Sequence, residues 1–340
     1  MSRVVFLLDR WMRPFGLHGK SIVPLVSGVA CAIPGVMAAR NISNWKEKMI
    51  TILVTPLMSC SARLPVYIIL IGLTVPDEVI LGFVNLQALA LLGLYLLGII
   101  GVLLTAFVLK TVLKTEEKSF LMTELPSYKI PRWGDVGITM FEKAKTFVFE
   151  AGKVILAISI VLWVLASYGP PAAMDQIRQE GEARLENVSD EEQIAAIEAE
   201  TNSLLLENSF IGIMGRAIEP VIKPLGYDWK IGIALITSFA AREVFISTMA
   251  TIYSIGGDVE DDLTIRQKLD QQINANTGEK TFNKATSFSL MVFYVFAMQC
   301  MSTLAVVKRE TKGWKWPIIQ TVYMSALAYL AALITYQLFS

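Results

Sequence analysis

Seven apolar stretches separated by polar connections dominate the chain: 21–39, 50–73, 79–109, 151–168, 231–255, 287–307 and 317–339. An α-helix rises 1.5 Å per residue, so about 20 apolar residues cover the roughly 30 Å hydrocarbon core of a bilayer. The pattern predicts an all-α polytopic membrane helical bundle of about seven spans. The block 208–225 is apolar only at intervals and holds Arg216, Glu219 and two prolines, which predicts a helix lying in the membrane interface.

The polar connections are unlike one another. Segment 110–153 is rich in lysine, 169–208 is strongly acidic with a solvated helix expected over 172–207, and 256–286 is mixed, with turns at Gly256-Gly257 and Thr277-Gly278. Stretches 21–73 and 231–310 echo each other. Each has a first span with a polar middle and a second span centred on a cysteine, and paired repeats of this kind meet at a transport site. The organisation expected is a boundary segment (1–20), a first repeat with the span after it (21–109), a cytoplasmic insert (110–150) and a span (151–168). An acidic external insert ending in the interfacial helix follows (169–230), then the second repeat with its polar insert 256–286 (231–310) and a last span (311–340). Basic residues stay on the cytoplasmic side, which puts 110–153 inside. Strict alternation of seven crossings then puts Lys308-Arg309-Glu310-Thr311-Lys312 outside, against the same rule. A re-entrant segment or a miscounted span would remove the conflict.

Composition agrees with a membrane protein: 54% of residues are hydrophobic. Thirty basic residues balance thirty acidic ones, so no polyanion partner is implied and no nucleic acid is expected. No cleavable signal peptide is visible at the N-terminus. Three cysteines, all inside apolar stretches, do not make a disulfide framework. Gly16-Leu17-His18-Gly19-Lys20-Ser21 ends like a phosphate loop, but Pro14 stands where the first glycine is needed. His18, the single histidine, reads as a membrane-boundary residue, and no hydrolytic or zinc-type set is present. The chain is therefore expected not to be an enzyme and to bind no cofactor.

The cysteines have unusual company. Cys31 lies between Pro24 and Pro34, and Cys60 between Pro56 and Pro65 with Met58, Ser59, Ser61 and Arg63 close by. Cys300 is flanked by Met298, Gln299, Met301 and Ser302. A proline in a helix frees carbonyls, which in a bilayer must face protein, water or a cation. Sulfur and oxygen together suit a soft or borderline cation. A single cysteine is as readily a small buried hydrophobe, so the case rests on the neighbours. At helical spacing Cys300 shares a face with Thr303, while Met301 turns away. Glu243 and Arg242 lie mid-span, and Arg63 is the candidate charge partner of Glu243. Glu243 reads either as an ion-path carboxylate or as part of an interior salt bridge.

Longer strings carry a resemblance. Residues 16–21 and 28–40, together with Leu53-Val-Thr-Pro-Leu-Met-Ser-Cys-Ser-Ala-Arg-Leu-Pro-Val-Tyr67, resemble the first gate region of the ferrous iron transport protein B family. Ala240-Ala-Arg-Glu-Val-Phe-Ile-Ser-Thr248 resembles its second gate. Gln299-Cys-Met-Ser-Thr-Leu-Ala305 and Arg309-Glu-Thr-Lys-Gly-Trp-Lys-Trp-Pro317 resemble its C-terminal signature. The resemblance implies a permease for Fe(II) in the bacterial cytoplasmic membrane, with Cys31, Cys60 and Cys300 contacting or gating the ion and Glu243 as the acidic residue of the second gate. It also implies a GTP-binding module that these 340 residues do not contain, and it is compatible with a homo-oligomer. A nucleoside or other small-solute transporter with related repeats, or a non-transporting scaffold, is the alternative.

Overall fold

The structure is a computed structural model that describes residues 2–80, 84–113, 132–185, 191–239, 242, 244–253, 269, 280–298 and 300–340. Its residues fall into two compact units. The first comprises Met1–Ser61, Tyr95–Leu156 and Val295–Ala326; the second comprises Ala62–Leu94, Ala157–Tyr294 and Leu327–Ser340.

The first unit opens with α1 (Ser2–Met12), which ends in a left-handed turn at Gly16 (φ 74°). Gly19 N–H donates to Asp9 Oδ1 at 2.7 Å, and Lys20 N–H donates to His18 Nδ1 at 3.1 Å. The Gly19-Lys20-Ser21 turn is thus a capping turn. Burial pushes His18 below its usual range and favours the neutral ring, the form that can accept this bond. Then come α2 (Ile22–Ala30), α3 (Ala32–Ala38) and α4 (Trp45–Val54). Nine- and seven-residue helices rise only about 14 and 10 Å, too short to cross a bilayer singly. Instead α2 and α3 fold back on each other. A side chain at Gly35 would come within 2.8 Å of the Pro24 carbonyl oxygen and 3.1 Å of Gly28 N. Small residues on both helices are what let the backbones close.

In the second unit α5 (Leu64–Thr74) leads to a two-residue antiparallel ladder, Val79–Ile80 with Val84–Asn85. Helix α6 (Leu86–Val112) runs through both units, as does α7 (Trp133–Ser167). Helix α7 continues unbroken across position 150, where an insert was expected to give way to a span. The acidic segment forms α8 (Pro171–Leu185) and α9 (Glu191–Asn208), two helices where one was expected, with Gly181 seated against Thr201. The expected interfacial helix is α10 (Phe210–Ile222), capped by Ser209. Helices α11 (Trp229–Ser238) and α12 (Val244–Ile252) form a second close pair, joined across their break by a 3.0 Å hydrogen bond between Thr237 and Thr248.

Helices α13 (Lys284–Phe296), α14 (Met301–Thr311) and α15 (Lys315–Phe339) complete the chain. Among the described residues four stretches are long and apolar enough to cross a bilayer: Trp45–Thr74, Leu86–Val112, Lys284–Thr311 and Lys315–Phe339. A fifth is reached if Gly152–Ser167 and Pro171–Leu185, bent by 73°, are taken together. The remaining two apolar stretches of the sequence are the pairs α2–α3 and α11–α12. On α6, Leu96, Ile99, Ile100, Leu104 and Phe107 are exposed, a row of large apolar side chains that suits lipid and not water. The chain is an all-α, multi-pass membrane protein.

Candidate functional site

All three thiols belong to the first unit, and each sits at an interruption between helices. Cys31 separates α2 from α3 in extended conformation (φ −156°, ψ 137°). Cys60 lies in the non-helical Met58–Cys60 stretch, with single 3-10 turns before it (Thr55–Leu57) and after it (Ser61–Arg63). Cys300 precedes α14 with φ −56° and ψ 155°. Cys60 is buried; Cys31 and Cys300 are half-buried.

Pro24, Pro34 and Pro65 mark where helices restart, and Pro56 marks where one ends. Pro24 and Pro34 stand in the first turns of α2 and α3, Pro56 in the 3-10 turn after α4, and Pro65 in the first turn of α5. In a first turn the missing N–H costs no intrahelical hydrogen bond. The break at Cys31 precedes Pro34 and the turn ahead of α5 precedes Pro65, whereas the Met58–Cys60 stretch follows Pro56.

The interruptions are tied together. Ser61 Oγ donates to the Ala30 carbonyl at 3.0 Å, linking the turn after Cys60 to the residue before Cys31. Met58 packs near Gly28, and Ser59, buried, lies under Gly98 of α6, where a Cβ would stand 2.9 Å from Ser59 Oγ. Gly101, nearly a turn further along α6, meets Phe296 just ahead of the Cys300 turn. The carbonyl of Leu53, near the broken end of α4, accepts from Gln320 Nε2 at 3.2 Å and from the Tyr323 hydroxyl. Thr303 N–H donates to the Cys300 carbonyl at 2.9 Å, and Cys300 Sγ lies 3.5 Å from Thr303 Oγ1, the shared face that helical spacing predicts.

Helices α3 and α14 pack side by side. Ile33 and Val36 share an apolar cluster with Val306 and Val307, and Cys31 packs against it. Beyond the cluster, Arg40 donates through Nε to both Glu310 oxygens (2.9 and 2.8 Å) and through Nη2 to one of them. Because the C-terminal ends are joined, the two helices run parallel, and the turns bearing Cys31 and Cys300 lie toward the same end. At 1.5 Å per residue each turn is about 14 Å from the ion pair. The Glu310 side chain is 6% exposed against 44% for Arg40. Removing the guanidinium leaves a buried carboxylate with Arg309 at 3.7 Å. Arg40→Ala is expected to lower stability by about 1 kcal/mol, the modest size reflecting the exposed partner. Thermal unfolding in detergent measures this, and the exchanged pair R40E/E310R should recover most of the loss.

The other expected site residues divide differently. Glu243 and Gln299 lie outside the described residues. Arg63 belongs to the second unit and is fully buried. Arg242, also buried there, sits over the Tyr294 ring (5.4 Å) and donates to the Tyr294 carbonyl at 3.4 Å, while the Tyr294 hydroxyl donates to Ser238 Oγ at 3.0 Å. This arginine is a structural clamp on the α11–α12 break. Among the described residues no three His, Cys, Asp or Glu side chains stand close enough to hold a metal ion. The thiols thus share one assembly of broken helices without forming a ready-made triad. The Arg40–Glu310 pair was not anticipated, although Arg40 follows Val36 by four residues as Glu310 follows Val306.

Comparison with known proteins follows the same outline. The family described as Gate: Nucleoside recognition matches residues 1–74 and 148–314, and the ferrous iron transport protein B C terminus matches 91–143, inside the gap. The Fe(2+) transporter FeoB of Leptospira interrogans is 42% identical over 337 residues, 99% of this chain and 45% of its own length. An Fe(2+) transport protein A/Fe(2+) transporter FeoB fusion protein of Porphyromonas gingivalis is 38% identical (99% and 40%), and the FeoB of Helicobacter pylori strain J99 is 33% identical (99% and 51%). The chain therefore spans about half the length of the curated relatives it matches. No solved structure matches it. With the Gate match covering more than half of its residues and the C-terminal segment set within, the chain belongs to the ferrous iron transport protein B family and corresponds to the C-terminal portion of its members.

Proposed function

We propose that this chain is the permease portion of a ferrous iron transporter of the bacterial cytoplasmic membrane, and that Fe(II) passes the turns carrying Cys31, Cys60 and Cys300. The observation that carries the reading is the position of all three thiols at helix breaks. Sulfur with carbonyl and hydroxyl oxygen suits a borderline divalent ion, and weak mixed ligation lets it leave as well as enter. Ser59, Ser61 and Met58 line the Cys60 turn in this reading, and Glu243 compensates charge. A GTP-binding module, in cis or as another chain, drives or gates the passage.

The fold-back pairs support a topology that removes the charge conflict. With α2–α3 and α11–α12 re-entrant, seven apolar stretches become five crossings and two hairpins. Residues 308–312 then share the cytoplasmic side with 110–150, and Arg40 reaches the same side as Glu310, as their ion pair requires. The turns of Cys31 and Cys300, about 14 Å deeper, come near the bilayer midplane.

Anaerobic flux into vesicles carrying the chain, with and without a GTP-binding partner, tests the proposal. Fe(II) entry unaffected by excess nucleosides is expected. Flux competed by nucleosides and not by divalent metals would mark a nucleoside transporter, and no flux under either condition would mark a scaffold.

A further inference from the structure

We infer that Ser302 is an oxygen ligand for the transported divalent cation, presented between the Cys31 and Cys300 turns; the inference rests on the thiol path proposed above. Ser302 occupies the second position of α14, is 1% exposed, and among the described residues its hydroxyl has no hydrogen-bond partner. Leaving a hydroxyl buried and unbonded is costly, and helical serines and threonines usually avoid this by donating to the carbonyl four residues back. In this chain Thr51, Thr55, Thr311 and Thr321 do so. Ser302 is in a first turn: position 298 precedes the helix, and that route is closed.

The direction of the hydroxyl follows from helix register. Residues 302, 306 and 310 form one stripe of α14. Val306 packs in the cluster that contains Val36, and Glu310 holds Arg40. Residues 32 and 36 of the parallel helix α3, with Arg40 in the 3-10 turn that continues it, are the matching stripe. One turn before the level of Val306 and Val36, Ser302 therefore faces the Ala32 turn, next to Cys31. Cys300 is on the same chain two residues earlier, with Thr303 Oγ1 beside its sulfur. A polar atom held dry and unbonded where two thiol-bearing turns converge is complementary to a dehydrated cation that takes sulfur and oxygen together.

The test is metal binding by the full chain in detergent under anaerobic conditions, with Fe(II) and Cd(II) as probes. Fe(II) accepts oxygen donors readily, whereas Cd(II) is satisfied by thiolates. Ser302→Ala is expected to weaken Fe(II) binding about tenfold, the low end for loss of a metal-site partner, and Cd(II) binding less than twofold, without lowering the melting temperature. Ser302→Cys should reverse the preference toward Cd(II). Equal weakening of both metals, or of neither, in S302A would overturn the assignment and leave Ser302 as packing. Unchanged binding of both metals by the variant with serine at all three cysteines would instead bring down the thiol reading itself.

Discussion

Replacing Cys31, Cys60 and Cys300 together by serine is expected to reduce Fe(II) uptake to background, with each single replacement costing about tenfold or more. The side-chain volumes barely change, so the fold should survive. Cys60, 5% exposed, is the one position where a new hydroxyl enters a buried site, at a cost of about 1–2 kcal/mol. Cys31 and Cys300 are half-buried and should be cheaper. Alanine replacements separate chemistry from packing. If the thiols serve as small hydrophobes, the triple alanine variant transports normally; if they contact the ion, it fails as the serine variant does. Uptake of Fe(II) by cells depleted of other iron systems measures both. Full activity in the triple alanine variant would end the cargo-path reading while leaving the fold as described.

Gly35→Val is expected to destabilise the protein by about 3 kcal/mol, the upper range for forced overpacking. Any Cβ at this position lands 2.8 Å from the Pro24 carbonyl oxygen and 2.8 Å from Thr55 Cγ2, and the first of these is backbone that cannot swing aside. A branched side chain adds a second and third collision. The pair α2–α3 would have to open, carrying the Cys31 turn with it, so transport should fall along with stability. Gly137, inside α7, is the control, because a methyl group added there meets nothing within 4 Å. Gly137→Ala should be neutral or stabilising by up to about 1 kcal/mol. Thermal unfolding of the two variants in one detergent distinguishes a specific close approach from a general intolerance of side chains at glycine.

Much of this architecture was legible in the sequence, for reasons that differ by element. Helices α6 and α15 were visible because an uninterrupted apolar run of the right length has few other folds open to it in lipid. Breaks near Cys31 and Cys60 were visible as prolines inside such runs, whereas the break at Cys300, which has no proline beside it, was not. Hydropathy could not reveal that α2 folds back on α3 or that α11 pairs closely with α12, because these pairs are as apolar as true spans. Only the close approach at Gly35 and the Thr237–Thr248 bond distinguish them. The pairing of α8 with α9 seats Gly181 against Thr201, a contact between residues twenty apart that hydropathy does not show. The thiols were identified by composition, but the parallel register of α3 and α14 required Arg40 to find Glu310, 270 positions away. Ser302 acquires meaning only through that register.

The doubly occupied carbonyl of Leu53 has a mechanical consequence. Rewinding the chain into regular helix past Val54 would ask Gln320 and Tyr323 to release their acceptor into hydrocarbon, where neither finds a replacement. The C-terminal helix thus acts as a splint on the bend ahead of Cys60. In the transport reading proposed above, the motion that hands an ion from one side to the other falls to the half-helices that meet at Cys31 and Cys300.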